Sequence, residues 1–136
     1  MKVWSEYGSE HSANLVMIGT FKDVSKTEEV MKIIDELKDR VREDERTGLL
    51  KIGEYPSRFT DNILDLLGKL NVGSLSPIEV EQFAYDFSIE AKKNQIILTS
   101  EEYDVSAFFK LMLDKGARVE IYSAHDYPRT GYGRGG

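Results

Sequence analysis

The chain has two histidines, His11 and His125, and each stands beside a carboxylate, as Glu10-His11 and His125-Asp126. Imidazole is the one side chain whose ordinary pKa lies close to neutrality, so it can exchange a proton or ligate a metal under mild conditions. Glu10, His11, His125 and Asp126 are therefore the candidate catalytic residues. Ser9, Ser12 and Asn14 around the first pair, with Tyr127 and Arg129 after the second, are the candidate ligand-binding residues. The first pair lies in a polar stretch, residues 8–14, that leads into the apolar segment Asn14 to Phe21. The second follows another apolar run, Val119 to Ala124.

No spacing completes a known constellation around either pair. A Ser–His–Asp set can be assembled from Ser9 or Ser12 with His125 and Asp126, but the chain has no Gly-x-Ser-x-Gly elbow to present the nucleophile. Two imidazoles and a carboxylate could form an open metal site, yet there is no His-Glu-x-x-His and no two histidines share a helical turn. No metal and no cofactor is expected. The paired His-x-Thr or His-x-Ser motifs of two-histidine phosphoesterases are also missed, because His11-Ser-Ala13 and His125-Asp-Tyr127 have the wrong third residue. The bland alternative makes His11 a loop residue whose ring bonds nearby backbone. No enzyme activity is assigned on sequence.

The C-terminal run Tyr127 to Gly136 is rich in glycine, but no helix follows it whose amides could receive a phosphate. Arg129 and Arg134 with Tyr127 and Tyr132 resemble a short RNA-binding tail, in which arginine meets phosphate and tyrosine stacks on a base. Two arginines on a chain of net charge −6 give only weak attraction to a polyanion. Nucleic acid is thus not expected as a partner except weakly through this tail.

Bulk properties narrow the remaining classes. A chain of 136 residues with 40% hydrophobic side chains fits one domain and can bury its own core. Cysteine is absent, which excludes disulfides, thiolate metal sites and thiol nucleophiles, and is compatible with the cytoplasm. The longest apolar run, Leu15 to Ile18, is far short of the ~20 residues that span a bilayer, and the N-terminus lacks a signal-like apolar core. A cytoplasmic protein without a membrane partner is expected. Acids cluster between Glu79 and Asp104 (Glu79, Glu81, Asp86, Glu90, Glu101, Glu102, Asp104) against Lys92 and Lys93. They read as a solvated face, or more sharply as a surface for a basic partner.

Periodicity supplies the elements that must position these groups. Lys2 to Tyr7 alternates as a first strand, and Asn14 to Phe21 reads as a second strand covered on both faces. Ser25-Lys-Thr-Glu28 matches a capping box opening a helix to Arg46, with Val30, Ile33, Ile34, Leu37 and Val41 on its apolar stripe and Gly48 as its stop. Leu49 to Ile52 reads as a third strand, and Ile63 to Leu70 as a second helix. Ser76-Pro-Ile-Glu79 is another capping box, followed by a strand from about Phe83 to Ala91. A turn at Lys92-Lys-Asn94 leads to a strand over Gln95 to Thr99, then a helix from Asp104 to Lys115 ended by Gly116, and a strand over Val119 to Ser123. Phe83, Tyr85, Phe87, Phe108 and Phe109 sit at core spacing.

The order strand, strand, helix, strand thus occurs twice, over residues 2–53 and 83–123. Two such ββαβ-like halves predict an α+β fold of the ferredoxin-like sandwich type, a mixed β-sheet with helices on one face. Residues 1–126 form the expected domain and 127–136 a Gly-rich tail.

The blocks Glu10-His-Ser-Ala-Asn-Leu-Val-Met-Ile-Gly-Thr-Phe21 and Asp104-Val-Ser-Ala-Phe108 with Lys115 to Pro128 resemble those of small uncharacterised prokaryotic proteins. That resemblance implies a microbial, cytoplasmic protein and carries no catalytic residue across. The leading functional expectation is an accessory or binding subunit acting through protein–protein contact, including self-association by strand pairing. The alternative is a small enzyme, or a binding protein for an anionic molecule, that uses His11 and His125.

Overall fold

The computed structural model of the chain describes residues 15–54, 57–100 and 105–123. Lys2 to Tyr7, read from sequence as the first strand, lies outside them. The near-continuous apolar run does form a strand, β1 (Leu15–Thr20), at the centre of a four-stranded sheet. Four consecutive residues, Val16 to Gly19, are buried. A strand sandwiched on both faces needs this pattern in place of simple alternation.

Helix α1 (Val24–Arg46) follows and would extend about 34 Å. Its apolar stripe is the expected one: Val30, Ile34, Leu37 and Val41 are fully buried, with Ile33 nearly so. The start differs from the sequence reading. Asp23 is the cap: its backbone is extended, and its Oδ1 accepts from the Lys26 amide at 2.9 Å. Ser25 therefore lies inside the first turn, where no capping role is left for it. A carboxylate at this end also meets the positive pole of the helix.

Beyond Gly48 (φ +84°) the expected strand over Leu49 to Ile52 does not form. The amides of Leu49 and Leu50 both bond the carbonyl of Asp44, at 2.8 and 3.0 Å, which wraps the chain around the helix end. Helix α2 (Asp61–Leu70) packs on α1 and stops at Asn71 in the left-handed conformation. A short helix, α3 (Pro77–Val80), has both halves of the Ser76–Glu79 capping box, and a 3-10 turn over Glu81–Ala84 continues it. Phe83 is consumed by that turn, so the next strand begins only at Phe87. Packing holds Phe83 in the turn, where its ring meets Phe108 at 4.8 Å between centroids.

Strands β2 (Phe87–Lys92) and β3 (Gln95–Ser100) make the expected hairpin, helix α4 (Ser106–Asp114) ends before Gly116, and β4 (Arg118–Ser123) closes the described chain. The strand order is β2-β3-β1-β4. All three pairings are antiparallel, although two βαβ crossovers had suggested a mixed sheet. Each crossover skips one strand: β3 lies between β1 and β2, and β1 lies between β3 and β4. Strands that run the same way are thus never neighbours. The α+β class stands, with a βαββαβ order and the α2–α3 segment as an insertion.

One face of the sheet, with Met17, Ile96, Leu98 and Phe87, joins α1, α4 and the insertion in the main core. Gly19 leaves room there for the Met112 side chain. A Cβ at this position would come within 2.5 Å of the Met112 sulfur on α4. The other face bears a separate apolar cluster of Val16, Ile18, Ile97 and Tyr122.

Candidate functional site

Every residue singled out for chemistry, Ser9, Glu10, His11, Ser12, Asn14, His125, Asp126, Tyr127 and Arg129, lies outside the described residues. Their points of attachment do not. Leu15 pairs with Ser123 on β4 and with Ser100 on β3, and Ser100 pairs with Phe87 on β2. These four residues form the terminal row of the ladder, one end of the sheet. The chain enters β1 at Leu15 four residues after His11, and leaves β4 at Ser123 two residues before His125. Directly paired Cα atoms in an antiparallel ladder are about 5 Å apart. Six residues of fully extended chain add at most about 21 Å, so connectivity bounds the separation of the two histidine Cα atoms to about 26 Å.

Among the described residues, two polar clusters that sequence reasoning missed lie within the helical layer. The first centres on Asp44, which is fully buried. Its Oδ1 accepts from Arg40 at 2.9 Å and from Asn62 at 3.2 Å, and its Oδ2 accepts from the Thr60 hydroxyl at 2.6 Å. Thr60 in turn caps α2, its Oγ1 accepting from the Ile63 amide at 3.1 Å. The only sequence cue was Arg40 and Asp44 one helical turn apart. With both oxygens engaged, this fully buried carboxylate pins the end of α1 to the start of α2.

The second cluster joins α3 to α4. Glu79 Oε1 accepts from Lys110 Nζ at 2.9 Å and from the Ser76 amide at 3.0 Å. Burial raises the pKa of the Glu79 carboxyl. Hydrogen bonds from Lys110 and from the Ser76 amide outweigh that, and the pKa ends below the ordinary glutamate value. Gln82 Oε1 accepts from the Ala107 amide at 2.6 Å, satisfying the start of α4. Glu81 is also buried, and its Oε1 accepts from the Gly53 amide at 2.7 Å. Glu79 and Glu81 are therefore structural, so the acidic stretch between Glu79 and Asp104 is not wholly a solvated face. Glu101, Glu102 and Asp104 lie outside the described residues.

Shallow clefts accompany these clusters. One of about 400 Å³ is bounded by Leu49, Lys51, Arg58 and Phe59 in the α1–α2 connection. Another, of about 500 Å³, lies between the start of α1 and the turn after α4 and is lined by Lys22, Lys26 and Lys115. Two of those cations are already engaged: Lys26 with Glu29 at 3.4 Å and Lys115 with the Asn71 carbonyl at 3.0 Å. Among the described residues there is no group of three His, Cys, Asp or Glu side chains placed to hold a metal ion, and no helix long and apolar enough to cross a membrane.

A family model described as a family of unknown function (DUF6375) matches residues 1–134, and the chain belongs to that family. The match includes both histidine-bearing ends. No curated protein and no solved structure matches the chain.

Proposed function

We propose that this member of the family binds a small anionic molecule, phosphorylated or carboxylated, at the Leu15–Ser100–Ser123 end of its sheet, with His11 and His125 exchanging the proton. The observation that carries this reading is the pairing of Leu15 with Ser123, which starts the two histidine-bearing segments from adjacent strands. Strand ends are rigid supports for side chains carried on the loops that leave them. In this reading Glu10 and Asp126 orient the imidazoles, and Ser9, Ser12, Asn14, Tyr127 and Arg129 hold the anion. Residues 1–126 make up the domain, and the placement is cytoplasmic, in keeping with the cysteine-free composition.

The test is a histidine NMR titration of the full chain, with and without inorganic phosphate. The expected result is that His11→Ala displaces the midpoint of His125 and that phosphate moves the signals of both rings. Two ordinary titrations, each indifferent to the other histidine and to phosphate, would overturn the reading.

A second reading, contact with another protein chain, is supported by edge strand β2. The exposed charges Glu90 and Lys92 on it, and Asp86 just before it, have no ion-pair partner among the described residues.

A further inference from the structure

We propose that the partner at β2 is a second copy of this chain, paired antiparallel about a two-fold axis through Ile89, so that Asp86 of each copy faces Lys92 of the other. The inference rests on the protein-contact reading of this edge and is independent of the histidine site.

The strand sits at the rim of the sheet, bonded on one side to β3 alone. Among the described residues no strand pairs with its second side, whose backbone groups are a template for another strand. Loop and ladder geometry decide which registers are open. Lys92 and Gln95 pair across the hairpin turn, so the alternate residues Phe87, Ile89 and Ala91 turn their amides and carbonyls outward. In a two-fold antiparallel pairing, outward residues meet outward residues, and the axis passes through one residue. Within the strand body there are two central choices, Ile89 and Glu90.

An axis at Glu90 sets that carboxylate against itself, which is repulsive. An axis at Ile89 sets each position against a fitting one. On the helix-side face Ile89 meets Ile89, and Phe87 meets the exposed Ala91. On the opposite face Ser88 meets Glu90, and Asp86 meets Lys92, at both ends of the overlap. Asp86, Ser88, Glu90, Ala91 and Lys92 are all exposed in the single chain, so no intrachain contact has to break. The ladder would gain about six backbone hydrogen bonds. The other registers shorten the overlap or draw the turn residue Lys93 into it.

Light scattering coupled to size-exclusion chromatography, run over a range of concentrations, tests the pairing. The expected mass is twice the 15.5 kDa of one chain, dissociating on dilution. Asp86→Lys alone and Lys92→Asp alone each oppose like charges twice across the axis and should weaken the dimer by about tenfold or more. The double exchange Asp86→Lys with Lys92→Asp should restore it. Circular dichroism of each variant confirms that the monomer remains folded. A chain that stays monomeric at all concentrations overturns the proposal. So does a dimer indifferent to the single exchanges, or one that the double exchange fails to restore. Because no histidine is involved, the phosphate response of His11 and His125 should be the same in every variant. Its failure and the dimer's failure are thus told apart.

Discussion

Replacing Asp44 by alanine should cost about 3 kcal/mol of folding stability. The carboxylate is fully buried, while the side chain of its partner Arg40 keeps 32% of its exposure. Breaking a buried ion pair typically costs about 3–5 kcal/mol, because the surviving charge is left without compensation. Arg40 can recover part of its hydration, which moves the figure to the lower end of that range. Its Nε, buried and without a hydrogen-bond partner, keeps the cost from vanishing. The Thr60 hydroxyl and the Asn62 amide lose their acceptor as well, a loss contained in that figure. Urea unfolding followed by far-ultraviolet circular dichroism measures the effect. The midpoint should fall with the slope unchanged, since the surface exposed on unfolding is the same. Asp44→Asn, which keeps the shape and one acceptor, should lose less. Pairing Arg40→Met with Asp44→Leu should recover most of the stability, as apolar replacements of buried ion pairs often do. A loss below about 1 kcal/mol for Asp44→Ala would refute the role assigned to this carboxylate, because that is the range of an ordinary surface ion pair.

Other consequences are open to the same unfolding assay. Glu79 has a lowered pKa in the folded chain, so its contribution is present above the unfolded glutamate value and is lost as pH falls through the lower folded value. Glu79→Gln should therefore be destabilising near neutrality, and its deficit should shrink in that acid window; a deficit independent of pH contradicts the assignment. Gly19→Ala should cost about 1–3 kcal/mol through its collision with Met112, and Met112→Ala in the same chain should make the added methyl nearly neutral. Lys93 holds a left-handed backbone (φ 55°) in the β2–β3 turn, so Lys93→Gly should be neutral or stabilising by up to about 1 kcal/mol. A clear loss there would show that the lysine side chain matters more than its backbone.

Local signals were the legible ones. The stripe Val30 to Val41 and the Ser76–Glu79 box stand as the sequence suggested, because period and capping are settled within a few residues. The misjudged features were decided by neighbours distant in sequence or by competition between adjacent caps. Ser25-x-x-Glu28 fits the capping pattern, but Asp23 takes the amide of Lys26 first. Leu49 to Ile52 has strand-forming residues, yet two of its amides are committed to the Asp44 carbonyl. Phe83 fits a strand and a helix equally until Phe108 fixes its place. Glu79 and Glu81 looked solvated because their partners, Lys110 and the Gly53 amide, are about thirty residues away. Strand order was illegible for the same reason, and with it the pairing of Leu15 with Ser123.

The buried polar groups of the helical layer hold its elements together. Among the described residues, Asp44, Glu79, Glu81 and Gln82 are buried groups with ligating potential on that side, and each has a partner that holds two elements together. Spending any of them on a ligand would loosen the insertion between β1 and β2. None of these four side chains belongs to the Leu15–Ser100–Ser123 row of the ladder. Dimerisation need not disturb it either. Among the described strands β2 and β4 are the opposite rims of the sheet, separated by β3 and β1, or about 14 Å at ordinary strand spacing. A second copy on β2 extends the sheet away from β4 and leaves the Leu15–Ser123 pair flanked as before. Ligand binding should consequently be independent of protein concentration across the monomer–dimer transition. An affinity for phosphate that rises as the dimer forms would mean that the second copy reaches the histidine site, and the separation of the two surfaces would fail.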